Sequence, residues 1–114
     1  MLKLIQWQWN EYHDFHRSRK NLLIHIFAVP LLLIANINLV WALTQSAWIH
    51  AIISAGLMLL SLVLQGKGHK IEETPSIPFS SPLNAISRLF VEQWINFPRF
   101  VVSGGWWQAF RSSK

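Results

Sequence analysis

Apolar residues run almost without interruption through the middle of this chain, and polar ones collect towards its two ends. Residues 22–43 (LLIHIFAVPLLLIANINLVWAL) form one apolar run. A bilayer-crossing helix needs about 20 residues at 1.5 Å rise each. Thr44, Gln45 and Ser46 make a short polar turn, and residues 47–65 (AWIHAIISAGLMLLSLVLQ) supply a second run of similar length. The pattern predicts a two-span transmembrane helical hairpin. Trp41 and Trp48 bracket the turn, where amphipathic indoles settle at a membrane–water boundary. Pro30 removes one backbone hydrogen bond from the first span and predicts a kink there. Asn36 and Asn38, both inside that span, are expected to hydrogen-bond across the hairpin.

The flanks predict helices of a different kind. Residues 1–20 scatter Leu4, Trp7, Tyr12 and Phe15 among polar neighbours, an irregular amphipathic helix. EETPSIPFSS, residues 72–81, holds two prolines and several small polar residues and reads as an extended loop. Ser81 is placed to cap a helix and Pro82 to begin it. Leu83, Ile86, Phe90, Val91, Trp94 and Ile95 then recur at helical spacing, with Arg88, Glu92 and Gln93 opposite. That predicts an amphipathic interfacial helix over 82–97, ending at Pro98. The remainder, 98–114, reads as a surface-seated aromatic tail. The whole is an all-α membrane protein, residues 1–114 forming a single membrane domain.

Charge sharpens this picture. Residues 21–66 contain no Asp, Glu, Lys or Arg, although the 114-residue chain carries ten basic and five acidic side chains. A soluble domain would need polar helix faces in such a stretch, whereas a bilayer does not. Arg17, Arg19 and Lys20 precede the first span, Lys67 and Lys70 follow the second, and the turn carries no charge. The positive-inside tendency then puts both termini in the cytoplasm, across the inner membrane in a bacterium. No signal-peptide pattern is visible, so no cleavage is expected. The absence of cysteine excludes disulfide frameworks, thiolate metal sites and cysteine nucleophiles. Nucleic acid is not an expected partner, because the surplus positive charge lies beside lipid-buried segments. A hairpin this small is compatible with a homo-oligomer.

The hairpin also gathers chemistry. It returns the chain to its starting side, so His16, His25, His69 and Glu72 are expected at one cytoplasmic pole, with His50 at the other. Three imidazoles and a carboxylate are suitable ligands for a divalent transition metal, and facial sets of this type leave positions open for substrate and dioxygen. A ligating imidazole needs an acceptor for its second N–H, and Tyr12, Asn21, Gln65 and Asp14 lie near enough in sequence to orient it. Plainer readings remain open. His13 and His16 fit a polar helix surface, and His13 could instead join the site. His25 fits an interfacial residue, His50 an interface anchor beside Trp48, and His69 with its flanking lysines an anionic-lipid patch. No His-x-x-x-His or His-x-x-His-His run is present, so the histidine-box hydroxylase pattern is not met.

Tyr12-x3-His16-x4-Asn21-x3-His25-x4-Pro30, followed by Gln65-x2-Gly68-His69-x2-Glu72 and Pro75, resembles the two signature blocks of the small membrane proteins related to the fungal 2-hydroxy fatty acid dioxygenase, in a short bacterial-type form. Ala28 stands where that pattern has glycine, and the loop after Glu72 reads TPSIP. The resemblance implies an Fe(II)-dependent dioxygenase that shortens 2-hydroxy fatty acids by one carbon, with His16, His25, His69 and Glu72 as the metal and catalytic set, Glu72 either ligating directly or supporting the ligands from outside. Arg17, Arg19, Lys20, Lys67 or Lys70 would hold the substrate headgroup, and the fatty-acyl tail would stay within membrane lipid. The competing expectation is a non-enzymatic membrane module that binds anionic lipid or a partner protein through its basic flank.

Overall fold

A computed structural model describes residues 1–113 and contains helices but no strand among them. Helix α1, Leu2–Asn10, is followed by a 3₁₀ turn, Tyr12–Phe15, and then by the long helices α2, Arg19–Thr44, and α3, Trp48–Ile71. Helix α4, Pro82–Val91, continues through a π-helical turn, Glu92–Asn96, into α5, Phe97–Val102; α6 covers Gly105–Ser112. Helices α2 and α3 are both long and apolar enough to cross a membrane.

Ser18 begins α2, its hydroxyl facing the Asn21 N–H, and Ser46 with φ +52° turns the chain into α3. The two helices lie antiparallel along a seam of small residues. Ala28, Ala35 and Ala42 of α2 and Ala51, Ser54, Ser61 and Gly68 of α3 are all buried, which lets the backbones approach closely. Polar ties cross the seam: the Ser61 hydroxyl donates to the Ala28 carbonyl, and the Asn38 amide donates to the Ser54 hydroxyl. Asn36 differs from expectation. Its amide satisfies the Leu32 carbonyl one turn back in its own helix.

The apolar core is not in the middle of this pair but at one end. Tyr12, Leu22, Val29, Phe97 and Phe100 are buried together, with Trp9, Trp106 and Phe110 packed around them. The N-terminal segment, α5 and α6 therefore all close on the end of α2 and α3 remote from the Ser46 turn. Trp106 fixes α6 there by donating its indole N–H to the Leu22 carbonyl at 3.0 Å.

Several boundaries depart from those read in the sequence. Helix α3 runs to Ile71 rather than ending at residue 65, because neither glycine there breaks it and Gly68 packs directly on Asn21. The N-terminal stretch is not one helix to residue 20. It breaks after Asn10, and Tyr12 turns inward to join the core. The helix beginning at Pro82 does not stop at Pro98. A proline ring clashes with the preceding turn of a regular α-helix and lacks an N–H. The wide π turn immediately before Pro98 accommodates both. The aromatic tail is helical as α5 and α6, separated by Gly104 at φ +85°.

Candidate metal centre

Each side chain of the centre comes from a different part of the fold. His16 follows the 3₁₀ turn, His25 lies two turns into α2, His69 lies in the last turn of α3, and Glu92 opens the π turn. One potential ligand atom from each lies within 4.8 Å of all the others. The Glu92 Oε1 stands 3.6 Å from His16 Nε2, 3.6 Å from His25 Nε2 and 3.7 Å from His69 Nε2. The His25 and His69 Nε2 atoms are 3.2 Å apart.

The protonation of two rings follows from their partners. His16 Nδ1 faces the Tyr12 carbonyl at 2.8 Å, and His25 Nδ1 faces the Asn21 carbonyl at 3.0 Å. A carbonyl only accepts, so each Nδ1 carries a hydrogen and each ring turns its Nε2 inward, the atom free to bind a metal once it has no proton. The Tyr12 ring stacks on His16 with centroids 4.0 Å apart and fixes its plane. Phe97 packs on His25 at 5.9 Å and Phe100 on His16 at 6.0 Å, closing the apolar side of the site.

Burial pushes the His16 imidazole below its ordinary pKa, an effect that Glu92 only partly offsets. Burial works in the opposite direction on Glu92, favouring its neutral form. The imidazoles of His16, His25 and His69 outweigh it and hold the carboxyl well below the usual carboxylate range. The resulting charge state, neutral His16 facing an ionised carboxylate, is the one a divalent cation binds.

These residues fit a metal. His16 Nε2 and Glu92 Oε1 are buried with no hydrogen-bond partner among the described residues, and an orphaned buried polar atom costs about 1–3 kcal/mol. Donors sharing one ion at about 2.1 Å would stand roughly 3.0–3.7 Å from one another, a range that holds the three Glu92–imidazole separations and the His25–His69 one. A set of three imidazoles and one carboxylate suits first-row divalent metals.

No protein-family model, curated protein or solved structure matches this chain.

The expected group of His16, His25 and His69 lies together in the structure, with Glu92 rather than Glu72 beside it. Glu72 is not in the group. Its carboxylate accepts the backbone N–H groups of Arg17 and Ser18 at 2.9–3.0 Å and the Asn21 amide at 2.6 Å. It thus binds the end of α3 to the start of α2, using the unpaired N–H groups and positive dipole of a helix N-terminus. Glu92 takes the fourth corner instead. Tyr12 and Asn21 touch the centre through the backbone carbonyls already described, and Gln65 reaches the neighbour of Glu92, Gln93. His13 is exposed and lies edge-on to Phe100, outside the group. His50 packs on Trp41 at the opposite end of the helices.

An apolar cavity of about 700 Å³ opens beside the centre, and His16, His69 and Glu92 form part of its wall. Trp7, Leu62, Phe79 and Leu89 line the remainder, and Lys70 contributes a cation. Of the other basic residues expected near a substrate headgroup, none lines this cavity. Arg17 pairs with Asp14 at 2.9 Å, while Arg19 lies over the Phe110 ring and donates to its carbonyl. Lys20 and Lys67 are exposed elsewhere.

Proposed function

We propose that this chain is an integral membrane Fe(II) dioxygenase acting on a single-chain lipid acid, with 2-hydroxy fatty acids as substrates to be shortened by one carbon. One observation carries the reading: four donors from four separate segments converge, two of them with their inward atoms unpartnered and three of them on the wall of an apolar cavity. A lipid-binding basic flank gives the convergence no use.

The membrane setting is supported by what the long helices expose. Phe27, Ile34, Ile37 and Val40 of α2 and Ile49 and Ile52 of α3 are each more than 60% exposed, a contiguous apolar surface that water does not favour. In a bilayer α2 and α3 form the two-span hairpin, both termini lie in the cytoplasm, and the centre sits at the cytoplasmic pole.

His16, His25, His69 and Glu92 would hold the iron. When bound, iron(II) supplies open coordination positions and the one-electron chemistry needed to use dioxygen. The protein does the rest. The Tyr12 and Asn21 carbonyls keep Nε2 of His16 and His25 aimed at the centre. Phe97 and Phe100 exclude water from one side. The cavity receives the acyl tail against Trp7, Leu62, Phe79 and Leu89, while Lys70 attracts the anionic head.

Protein purified anaerobically, assayed for iron and supplied with a 2-hydroxy fatty acid and oxygen tests this reading. One iron per chain and a product one carbon shorter are expected, both lost in the His25→Ala/His69→Ala double variant. No stoichiometric metal, or full turnover by the double variant, would refute it.

A further inference from the structure

The π-helical turn at Glu92–Asn96 has a geometric consequence for the metal centre. In a regular α-helix, residues five apart point about 140° away from each other. Here the Phe97 N–H bonds to the Glu92 carbonyl, which stacks residues 92 and 97 over one another. Glu92 and Phe97 therefore both face the imidazoles, Glu92 through its carboxylate and Phe97 through its ring against His25. A regular helix could present one of them or the other.

A π turn gives up regular backbone pairing and persists where its surroundings hold it. Two buried amides do so. Gln93 donates to Gln65 Oε1 at 2.7 Å and accepts from Gln65 Nε2 at 2.9 Å, a reciprocal pair. Gln65 also donates to the Ser61 hydroxyl at 3.0 Å. Asn96, fully buried, donates to the Gln8 side chain at 2.9 Å and to the Ile5 carbonyl at 3.2 Å. Gln65 lies one helical turn before His69, and Gln93 adjoins Glu92. The amide pair thus ties two of the four donors together without touching the centre.

We infer that the π turn is the device that aims Glu92 at the three imidazoles, and that Gln65 and Gln93 are its positioning residues. The inference rests on the metal-centre reading and deepens it: Pro98 gives the irregularity a local cause, and the aim of Glu92 gives it a use.

Cobalt(II) titration in detergent, followed by visible absorption, reads the geometry of the centre independently of turnover. Gln93→Leu orphans Gln65 and is expected to lose both thermal stability and cobalt affinity. Gln65→Leu/Gln93→Leu leaves neither amide orphaned and is expected to regain the stability. Its cobalt affinity should nevertheless stay ten- to a hundredfold below wild type, with an altered absorption spectrum. Wild-type affinity and spectrum in a folded double variant would overturn the inference while leaving the metal centre standing. Gln93→Asn, which keeps an amide too short to reach Gln65, guards against a misfolded double variant. It should show the same weakened binding, and wild-type binding there overturns the proposal equally. Failure of the wild-type protein itself to bind cobalt would remove the centre and this inference together.

Discussion

Exchanging the two carboxylates one at a time separates a structural acid from a ligand. Glu72→Ala removes an acceptor from the Arg17 N–H, the Ser18 N–H and the Asn21 amide, at a site where Glu72 itself is 8% exposed. Hydrogen bonds to a charged group contribute about 1.5–3 kcal/mol each. Water reaches part of the vacated space, so the net loss should be roughly 3–5 kcal/mol rather than the full sum. Glu92→Gln behaves differently. The Glu92 Oε1 makes no hydrogen bond, and the metal-free protein loses only its 3.6–3.7 Å contacts with the imidazoles, so the stability loss should be smaller than for Glu72→Ala. The metal affinity of Glu92→Gln should fall by more than the ten- to hundredfold typical of a change outside the ligand set. Thermal unfolding of the metal-free variants and cobalt titration of the folded ones measure the two effects separately. If Glu72→Gln abolished cobalt binding in a stable protein while Glu92→Gln retained it, the assignment of the two acids would be reversed.

Two further outcomes follow from the same geometry. Metal binding requires neutral imidazoles, and burial lowers the His16 pKa while the Glu92 carboxyl stays ionised. Cobalt occupancy should accordingly be full at neutral pH and persist below the ordinary imidazole value of about 6.5 before it is lost at more acid pH; binding that strengthens on acidification would contradict this. Gly68→Ala would drive a Cβ into the Asn21 side chain, which also holds Glu72. A loss of about 1–3 kcal/mol in unfolding experiments is expected, against a negligible loss for Gly66→Ala, where the space is open.

The long helices were legible because residues 21–66 lack formal charge, a signal that survives any error in the ends. The ends themselves were not legible: Gly66, Lys67 and Gly68 look like a stop, and only tertiary contact with Asn21 shows why the helix continues. The histidines could be grouped because a returning pair of helices carries His25 and His69 to one pole. Glu92 escaped notice since an acid on the polar face of an amphipathic helix ordinarily faces water. A signal was available, however: Glu92 is the sole acid in residues 74–114, beside a Gln on a face otherwise short of charge. The π turn that aims it leaves only Pro98 as a signal in the sequence, because its stabilising partners Gln65 and Gln8 lie far away along the chain. Glu72 lies outside the group for a related reason. Its spacing from His69 fits a shared helix face, but α3 ends at Ile71 and Glu72 takes an extended backbone.

X-ray absorption at the iron edge of the anaerobically reconstituted protein tests the centre most directly. The account predicts a first shell of nitrogen and oxygen at about 2.1 Å with the outer scattering of three imidazoles, reduced to two in His69→Ala. A spectrum without imidazole scattering, or one unchanged by His69→Ala, would contradict it.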